Sequence, residues 1–147
     1  ELDDGTVIME STAICRYLES LYPEPNLFGE SAIEIASIEM WQARIYNELM
    51  IPLAMAFRHL HPGMSNMEIQ NKDYGEMQKN VGVKSLKYFD TVLSESEFVA
   101  GDRYTFADIQ LITTTDFFIG LNRLAMEDYP EIKRHFKLMS ERSSFLA

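Results

Sequence analysis

Only one short stretch of this chain is patterned as a β-strand, and it has no second strand to pair with. Residues Thr6 to Met9 follow an Asp-Gly turn and are rich in the β-branched residues that favour strands. The later apolar patterns have helical spacing. Because an isolated strand is not stable in water, we expect a mainly helical protein whose single strand pairs with a sheet preceding Glu1.

A proline-rich segment separates two parts of the chain. The stretch from Tyr22 to Gly29 contains two prolines and a glycine. Proline disfavours helix at its own position and at the residue before it, so this stretch is interpreted as a linker. The predicted division is a first part at 1–22, a linker at 23–30 and a helical domain at 31–147.

The helical domain is predicted to contain several long helices. The helix that follows Ser31 is expected to kink at Pro52, which has no amide hydrogen to donate. Gly75 and Gly82 weaken the next helix, and we expect a break near Gly75. The stretch from Ile109 to Leu121 is apolar almost all round, which is typical of a buried central helix.

Two helix starts carry local signals. Thr105 and Asp108 are spaced as a capping box, in which each residue satisfies a free amide of the other, with Asp in place of the usual Glu. Both residues are therefore interpreted as structural. Pro130 stands where the first position of the last helix is expected, a place that tolerates proline because no amide is needed there.

Charge and cysteine content narrow the function classes. The chain has 13 basic and 23 acidic residues, a formal charge of −10, which repels phosphate backbones and anionic lipid surfaces. Nucleic acid and membrane partners are therefore not expected, and no apolar run has the length of a membrane span. The single cysteine, Cys15, is expected to be buried and inert, and it favours a reducing compartment such as the cytoplasm.

Glu10 and Ser11 stand where the predicted strand passes into a helix. The first turn of a helix has amide hydrogens without partners and the positive end of the helix dipole, so it attracts a carboxylate. Ser11 can add its hydroxyl, while Glu10 offers a negative charge to a nearby ammonium group. The pair fits an α-amino acid zwitterion. The alternative is that the two residues only cap the helix.

The chain resembles the cytosolic glutathione S-transferases over essentially its whole length. The resemblance is carried by Glu10-Ser11, the linker ending in Leu27-Phe28-Gly29, a tryptophan-containing helix, and the stretch from Phe98 through Asp108. It implies that residues up to about Tyr22 are the last strand and helix of a thioredoxin-like domain. The remainder would then be the all-helical C-terminal domain of the family.

The resemblance also implies the site. Glu10 and Ser11 would bind the γ-glutamyl group of glutathione, and the catalytic residue would lie upstream of Glu1, so no catalytic residue is assigned within the chain. An apolar pocket for the electrophile would be lined by the helix carrying Asn47, Met50 and Phe57, and Asn47 could reach glutathione in a neighbouring subunit. The alternative for Met50 and Phe57 is plain core packing.

Several functions remain open at this point. The family's generic reaction is conjugation of the glutathione thiolate to a small apolar electrophile by a homodimer, as in detoxification. A binding or regulatory protein without catalysis, and a glutathione-dependent reductase, isomerase or dehalogenase, are the alternatives. No metal is expected, because His59 and His61 lack carboxylate or cysteine partners at metal-binding spacing.

Overall fold

The computed structural model describes residues 1–145 and is built mainly from helices. Within these residues, the α-helices are α1 (Ser11–Leu21), α2 (Ala32–Arg44), α3 (Ile51–Leu60), α4 (Lys72–Glu95), α5 (Phe106–Leu121) and α6 (Pro130–Ser140). A π-helical turn (Ile45–Met50) joins α2 to α3, and 3-10 turns occupy Pro62–Met64, Met126–Asp128 and Ser143–Phe145. The last two residues of the predicted domain 31–147 lie outside this description.

The described residues confirm the mainly helical fold but not the strand at Thr6–Met9. The Asp4-Gly5 turn is present, and Gly5 has a positive φ of 83°. Residues 6–9 have no regular secondary structure, and the Thr6 carbonyl accepts a backbone bond only from the nearby Leu2 amide, at 2.9 Å. A strand needs a neighbour to pair its amides and carbonyls, and residues 1–145 supply none.

The predicted break near Gly75 is wrong, because α4 runs through both of its glycines. α3 and α4 are antiparallel: Gly75 faces Leu60, whereas Gly82, further along α4, faces Leu53, nearer the start of α3. Both glycines are buried. A β-carbon at Gly75 would lie 2.8 Å from the Leu60 Cγ atom. The glycines therefore allow two helices to pack closely, and tertiary packing overrides their low helix propensity.

The irregularity that was expected at Pro52 lies just upstream of it. The π-helical turn Ile45–Met50 ends before Pro52, which occupies the first turn of α3. Proline cannot donate an amide hydrogen to the Glu48 carbonyl four residues earlier. The Ser85 hydroxyl of α4 donates to that carbonyl instead, so the carbonyl has a partner despite the proline.

The helix α5 lies at the centre of the helical domain, as predicted, and contacts α2, α3 and α6. Its buried residues include Ala107, Leu111 and Ile119. They pack in one core with Ile38, Leu53, Leu86, Phe89 and Ile132 from the surrounding helices. No helix among residues 1–145 has both the length and the apolar character needed to cross a membrane.

Side chains of α4 and α6 form hydrogen bonds with the free backbone groups at each other's ends. The Asp90 carboxylate of α4 accepts from the Glu131 and Ile132 amides in the first turn of α6, at 2.8 and 2.9 Å. In return, Arg134 donates to the Leu93 carbonyl near the end of α4, at 2.9 Å. Free amides and carbonyls at helix ends need such partners. Pro130 is the first residue of α6, as predicted.

The segment predicted as a linker is tied to α1 and to α5. The Glu19 carboxylate of α1 accepts from the Leu27 and Phe28 amides, at 2.6 and 3.2 Å. The Phe28 ring is buried and stacks on Phe106 at the start of α5, with 4.6 Å between ring centroids. The position of α1 on the helical domain is thus fixed by polar and aromatic contacts. The domain division itself stays a prediction.

An ion pair between Arg103 and Glu34 also holds the linker segment. The Arg103 guanidinium donates to a Glu34 carboxylate oxygen at 2.6 Å and to the Asn26 side-chain oxygen at 2.7 Å. Glu34 lies in the first turn of α2, and its other oxygen accepts from the Glu30 amide at 2.9 Å. The hydrogen bond from the Glu30 amide is the main cause that holds the pKa of Glu34 below its usual value; desolvation opposes it, and Arg103 lowers the pKa further by a smaller amount.

Acid is expected to weaken the contacts of the Glu34 carboxylate. Because the pKa of Glu34 is lower in the folded than in the unfolded chain, the stabilisation is present above about pH 4.3, the usual value for glutamate, and is lost as pH falls through the folded value. Glu34→Gln should therefore lower the urea midpoint at pH 7 and have a smaller effect at pH 3. A difference from the wild type that is the same at both pH values would contradict this.

The capping box at the start of α5 is present and extends further than predicted. The Asp108 carboxylate accepts from the Thr105 amide at 2.9 Å and from the Thr105 hydroxyl at 3.0 Å. Its other oxygen accepts from the Val99 amide at 2.8 Å and lies 3.0 Å from His135 Nε2 of α6. Asp108 and His135 are both buried. One carboxylate therefore joins the loop before α5, the helix start and α6.

Candidate functional site

The helix α1 begins at Ser11, as the sequence predicts, and its first turn is open. Glu10 occupies the position before the helix, and its carbonyl accepts from the Ile14 amide at 3.0 Å. No side chain caps this turn, and it contains no acidic residue. The amides of the first turn thus stay free of side-chain partners, which is the arrangement that attracts a carboxylate.

Both side chains of the predicted pair are exposed. Neither Glu10 nor Ser11 forms a side-chain hydrogen bond or ion pair with any residue in 1–145, so the carboxylate and the hydroxyl can meet an external partner. This weakens the alternative that the pair only caps the helix, because Ser11 is the first helical residue and Glu10 makes no cap bond.

The backbone at Glu10 adopts an unusual conformation. Its φ of 72° lies in the left-handed region, which residues other than glycine seldom occupy. Such a conformation costs on the order of 1–3 kcal/mol and is concentrated at functional sites. A glycine would relieve it, yet a glutamate stands here. The strain is therefore consistent with a site that uses the Glu10 carboxylate.

The three residues predicted for the electrophile pocket separate into two places. Asn47 and Met50 lie in the π-helical turn, a form often found at functional sites. Asn47 is exposed, and its amide nitrogen donates to the Ala43 carbonyl of its own helix at 2.8 Å. Phe57 lies in α3 and lines a cavity of about 230 Å³ together with Leu60, whereas neither Asn47 nor Met50 lines that cavity.

Cys15 is half-buried rather than buried in the core. It lines an apolar groove of about 380 Å³ between α1, the linker and the start of α5, together with Leu18, Tyr22, Phe28 and Phe106. The side chains of Glu10 and Ser11 do not line this groove. Cys15 therefore does not share a pocket with Glu10 and Ser11, and no role is assigned to it.

The two histidines near the end of α3 organise a turn. His59 Nδ1 accepts from the Asn71 amide, and His61 Nδ1 accepts from the Gly63 amide, both at 3.1 Å. Among residues 1–145 there is no group of three or more His, Cys, Asp or Glu side chains that could hold a metal ion.

Two family models match this chain. The model described as "Glutathione S-transferase, C-terminal domain" matches residues 50–143, and that described as "Glutathione S-transferase, N-terminal domain" matches residues 1–26. The chain belongs to the glutathione S-transferase superfamily.

Individual relatives agree with this. Glutathione S-transferase 2 of Saccharomyces cerevisiae is 37% identical over 146 residues, which are 98% of this chain and 63% of the relative. The crystal structure of Gtt2 from the same yeast matches with a TM-score of 0.88 at 37% identity, over 98% of this chain and 70% of that one. A Gtt2-class glutathione S-transferase of Vibrio parahaemolyticus gives 0.86 at 35% identity, over 99% and 68%. The chain therefore spans about two thirds of these proteins.

A relative of a different kind also matches. Elongation factor 1-gamma 2 of Oryza sativa subsp. japonica is 26% identical over 153 residues, which cover 99% of this chain and 34% of the relative. A sequence similar to this chain thus also occurs in a protein that is not named a transferase.

Sequence patterns missed the residues that come together from distant parts of the chain. The basic side chains around the cavity of Phe57 are Lys72 and Lys79 of α4 and Arg123 after α5. They share no motif or spacing, because separate segments of the chain bring them together. Only the folded arrangement identifies them.

Proposed function

We propose that the protein containing this chain is a glutathione transferase that conjugates the glutathione thiolate to small apolar electrophiles. The observation that carries the proposal is the open first turn of α1, with the exposed and unpartnered side chains of Glu10 and Ser11 beside it. The Ser11 hydroxyl and the free amides bind the γ-glutamyl carboxylate, and the Glu10 carboxylate binds its ammonium group.

The remaining parts of the proposal rest on the family. The group that activates the thiol, a Tyr, Ser or Cys, lies upstream of Glu1, because the thiolate is the reactive form and no residue in this chain is assigned to stabilise it. Met50 and Phe57 contribute to the electrophile pocket, and Asn47 reaches glutathione across a homodimer. The protein is cytoplasmic and acts in detoxification.

A second candidate is a protein of this fold that binds partners without catalysis. The match to elongation factor 1-gamma supports it. A reductase, isomerase or dehalogenase that uses glutathione would keep the same zwitterion site. The thiol-activating residue upstream of Glu1 distinguishes these functions. Tyr or Ser at that position favours conjugation, and Cys favours thiol exchange. The absence of all three favours a binding role.

The test is the affinity of the full-length protein for glutathione, measured by calorimetry and by retention on immobilised glutathione. Replacing Glu10 by Ala or Gln should raise the Kd about 10- to 100-fold, because a charged hydrogen bond contributes about 1.5–3 kcal/mol. Gln keeps the size of the side chain and removes only its charge.

Glu30→Ala is the matched control for the loss of one negative charge. Glu30 is an exposed acid in the linker, and its carboxylate has no partner among residues 1–145. Its replacement should leave the Kd for glutathione unchanged. Equal retention of the wild type and Glu10→Ala would show that Glu10 is not a ligand, and the transferase proposal would then lose its main support.

A further inference from the structure

A cavity of about 230 Å³ lies where the end of α3, the start of α4 and the end of α5 meet. We call it the basic cavity. Its apolar lining comes from Phe57, Leu60 and Leu121, and its basic lining comes from Lys72, Lys79 and Arg123. Its lining includes neither Glu10 nor Ser11, and it shares only Phe57 with the proposed electrophile pocket.

The cations of the basic cavity have no ionic partner within the described residues. Six of the 13 basic side chains form ion pairs with carboxylates there, at Arg16, Arg44, Arg58, Arg103, Lys133 and Arg134. Lys72, Lys79 and Arg123 form none, although Glu76 also lines the cavity. Seven of the 13 basic side chains form no such pair within residues 1–145, and three of these seven line this one cavity, whereas Lys84, Lys87, Lys137 and Arg142 do not. This concentration of unpaired positive charge beside an apolar lining suits an external anion.

His61 supplies a further hydrogen-bond donor to the cavity wall. Its Nδ1 accepts from the Gly63 amide at 3.1 Å, so in the neutral ring the proton lies on Nε2, which can donate to an acceptor. The His61 ring packs against Phe57, with 4.8 Å between centroids. This contact fixes the ring beside the apolar lining.

The backbone of Arg123 is strained. Its φ of 55° places it in the left-handed region just after α5, a position that glycine or asparagine usually occupies because other side chains are disfavoured there. An arginine at this position carries a conformational cost that glycine would remove. The Arg123 amide donates to the Gly120 carbonyl at 3.0 Å, and the Leu124 amide donates to the Ile119 carbonyl at 2.9 Å, so this conformation ends α5 and leaves Arg123 in the cavity lining.

We propose that the basic cavity binds a small organic anion, such as a carboxylate, with a short apolar body. Lys79, Arg123 and His61 hold the anionic group, and Phe57 and Leu121 cover the apolar part. Pockets for drug-sized ligands measure roughly 300–1,000 Å³, so the occupant of this cavity is smaller. Glu76 opposes the anion and limits the affinity.

The probe is 4-phenylbutanoate, titrated into the full-length protein labelled with nitrogen-15 and followed by NMR. Its uncharged analogue, 4-phenylbutanamide, is the matched ligand control. Saturable shifts are expected for the amides of His61, Leu121 and Asn122, which line the cavity. The amide analogue should bind at least tenfold more weakly, because it lacks the charge.

Three charge-removing variants on α4 then show whether a charge must lie at the cavity to change the binding of 4-phenylbutanoate. Lys79→Gln should weaken binding of 4-phenylbutanoate about threefold, and Glu76→Gln should tighten it by a similar factor. Lys84→Gln is the control, since Lys84 is an exposed cation on α4 outside the cavity lining. It should change the Kd little.

The two charge changes have opposite signs, so damage to the fold cannot produce both results. Tighter binding by Glu76→Gln supports the site even where Lys79→Gln lowers the melting temperature. The proposal is overturned if the amide analogue binds equally well, if Lys84→Gln weakens binding as much as Lys79→Gln, or if the shifts map elsewhere.

Discussion

Replacing Asp108 by alanine is expected to lower the free energy of unfolding by about 3–5 kcal/mol. The Asp108 side chain is fully buried and accepts from the Val99 amide, the Thr105 amide and the Thr105 hydroxyl, besides its contact with His135. Alanine would leave all of these polar groups buried without an acceptor. Each such group costs roughly 1–3 kcal/mol, less what relaxation recovers.

The comparison with Thr105→Ala makes this prediction specific. Loss of the Thr105 hydroxyl removes one contact of Asp108 and should cost only about 0.5–2 kcal/mol, the usual range for a helix cap. Asp102→Ala is the control, because Asp102 is an exposed carboxylate in the same loop without a partner among residues 1–145. Urea unfolding followed by circular dichroism gives all three values.

Asp108→Asn tests the charge separately from the shape. The amide oxygen of asparagine can replace one carboxylate oxygen, but its NH₂ group would face donors of the same kind. We expect a loss of about 2 kcal/mol, between those of the other two variants. A cost below that of Thr105→Ala for either Asp108 variant would mean that the carboxylate does not hold the three segments together.

Local signals in the sequence predicted the helix starts, and distant contacts decided the rest of the fold. The start of α5 and the proline at the start of α6 follow from residues within one turn, so the pattern was sufficient. Asp90 and Arg134 cap helix ends from another helix, and no local spacing signals that. The break expected at Gly75 failed for the same reason, because Leu60 packs against it from α3.

In the candidate site, too, the sequence predicted the features that depend on neighbouring residues and missed those that depend on distant ones. Glu10 and Ser11 are adjacent in the chain and at a helix start, so their chemistry could be predicted before the fold was known. The strain at Glu10 could not, because a left-handed φ at a glutamate has no sequence signal. Phe57 was expected in a pocket because of the family resemblance, but the cations that share its cavity come from α4 and from the end of α5.

Replacing Gly82 by valine is expected to lower the free energy of unfolding by about 3 kcal/mol. Gly82 is buried in α4, and a β-carbon there would lie 2.8 Å from Leu53 Cγ and closer still to Leu53 Cδ2. Leu53 is fully buried in the core, so it has little space to move. Helix propensity alone would slightly favour valine over glycine, and the steric term is larger and of opposite sign.

Gly120→Ala is the control, because it shows whether loss of any helical glycine lowers the free energy of unfolding or only loss of the packed Gly82. Gly120 lies in α5, is exposed, and a β-carbon there meets no atom within 4 Å. Its replacement should raise the free energy of unfolding by about 0.5–1 kcal/mol.

Leu53→Ala combined with Gly82→Val should cost less than the sum of the single variants, because the shorter side chain makes room for the valine. Additive costs would show that close packing of α3 on α4 is not what requires glycine at position 82.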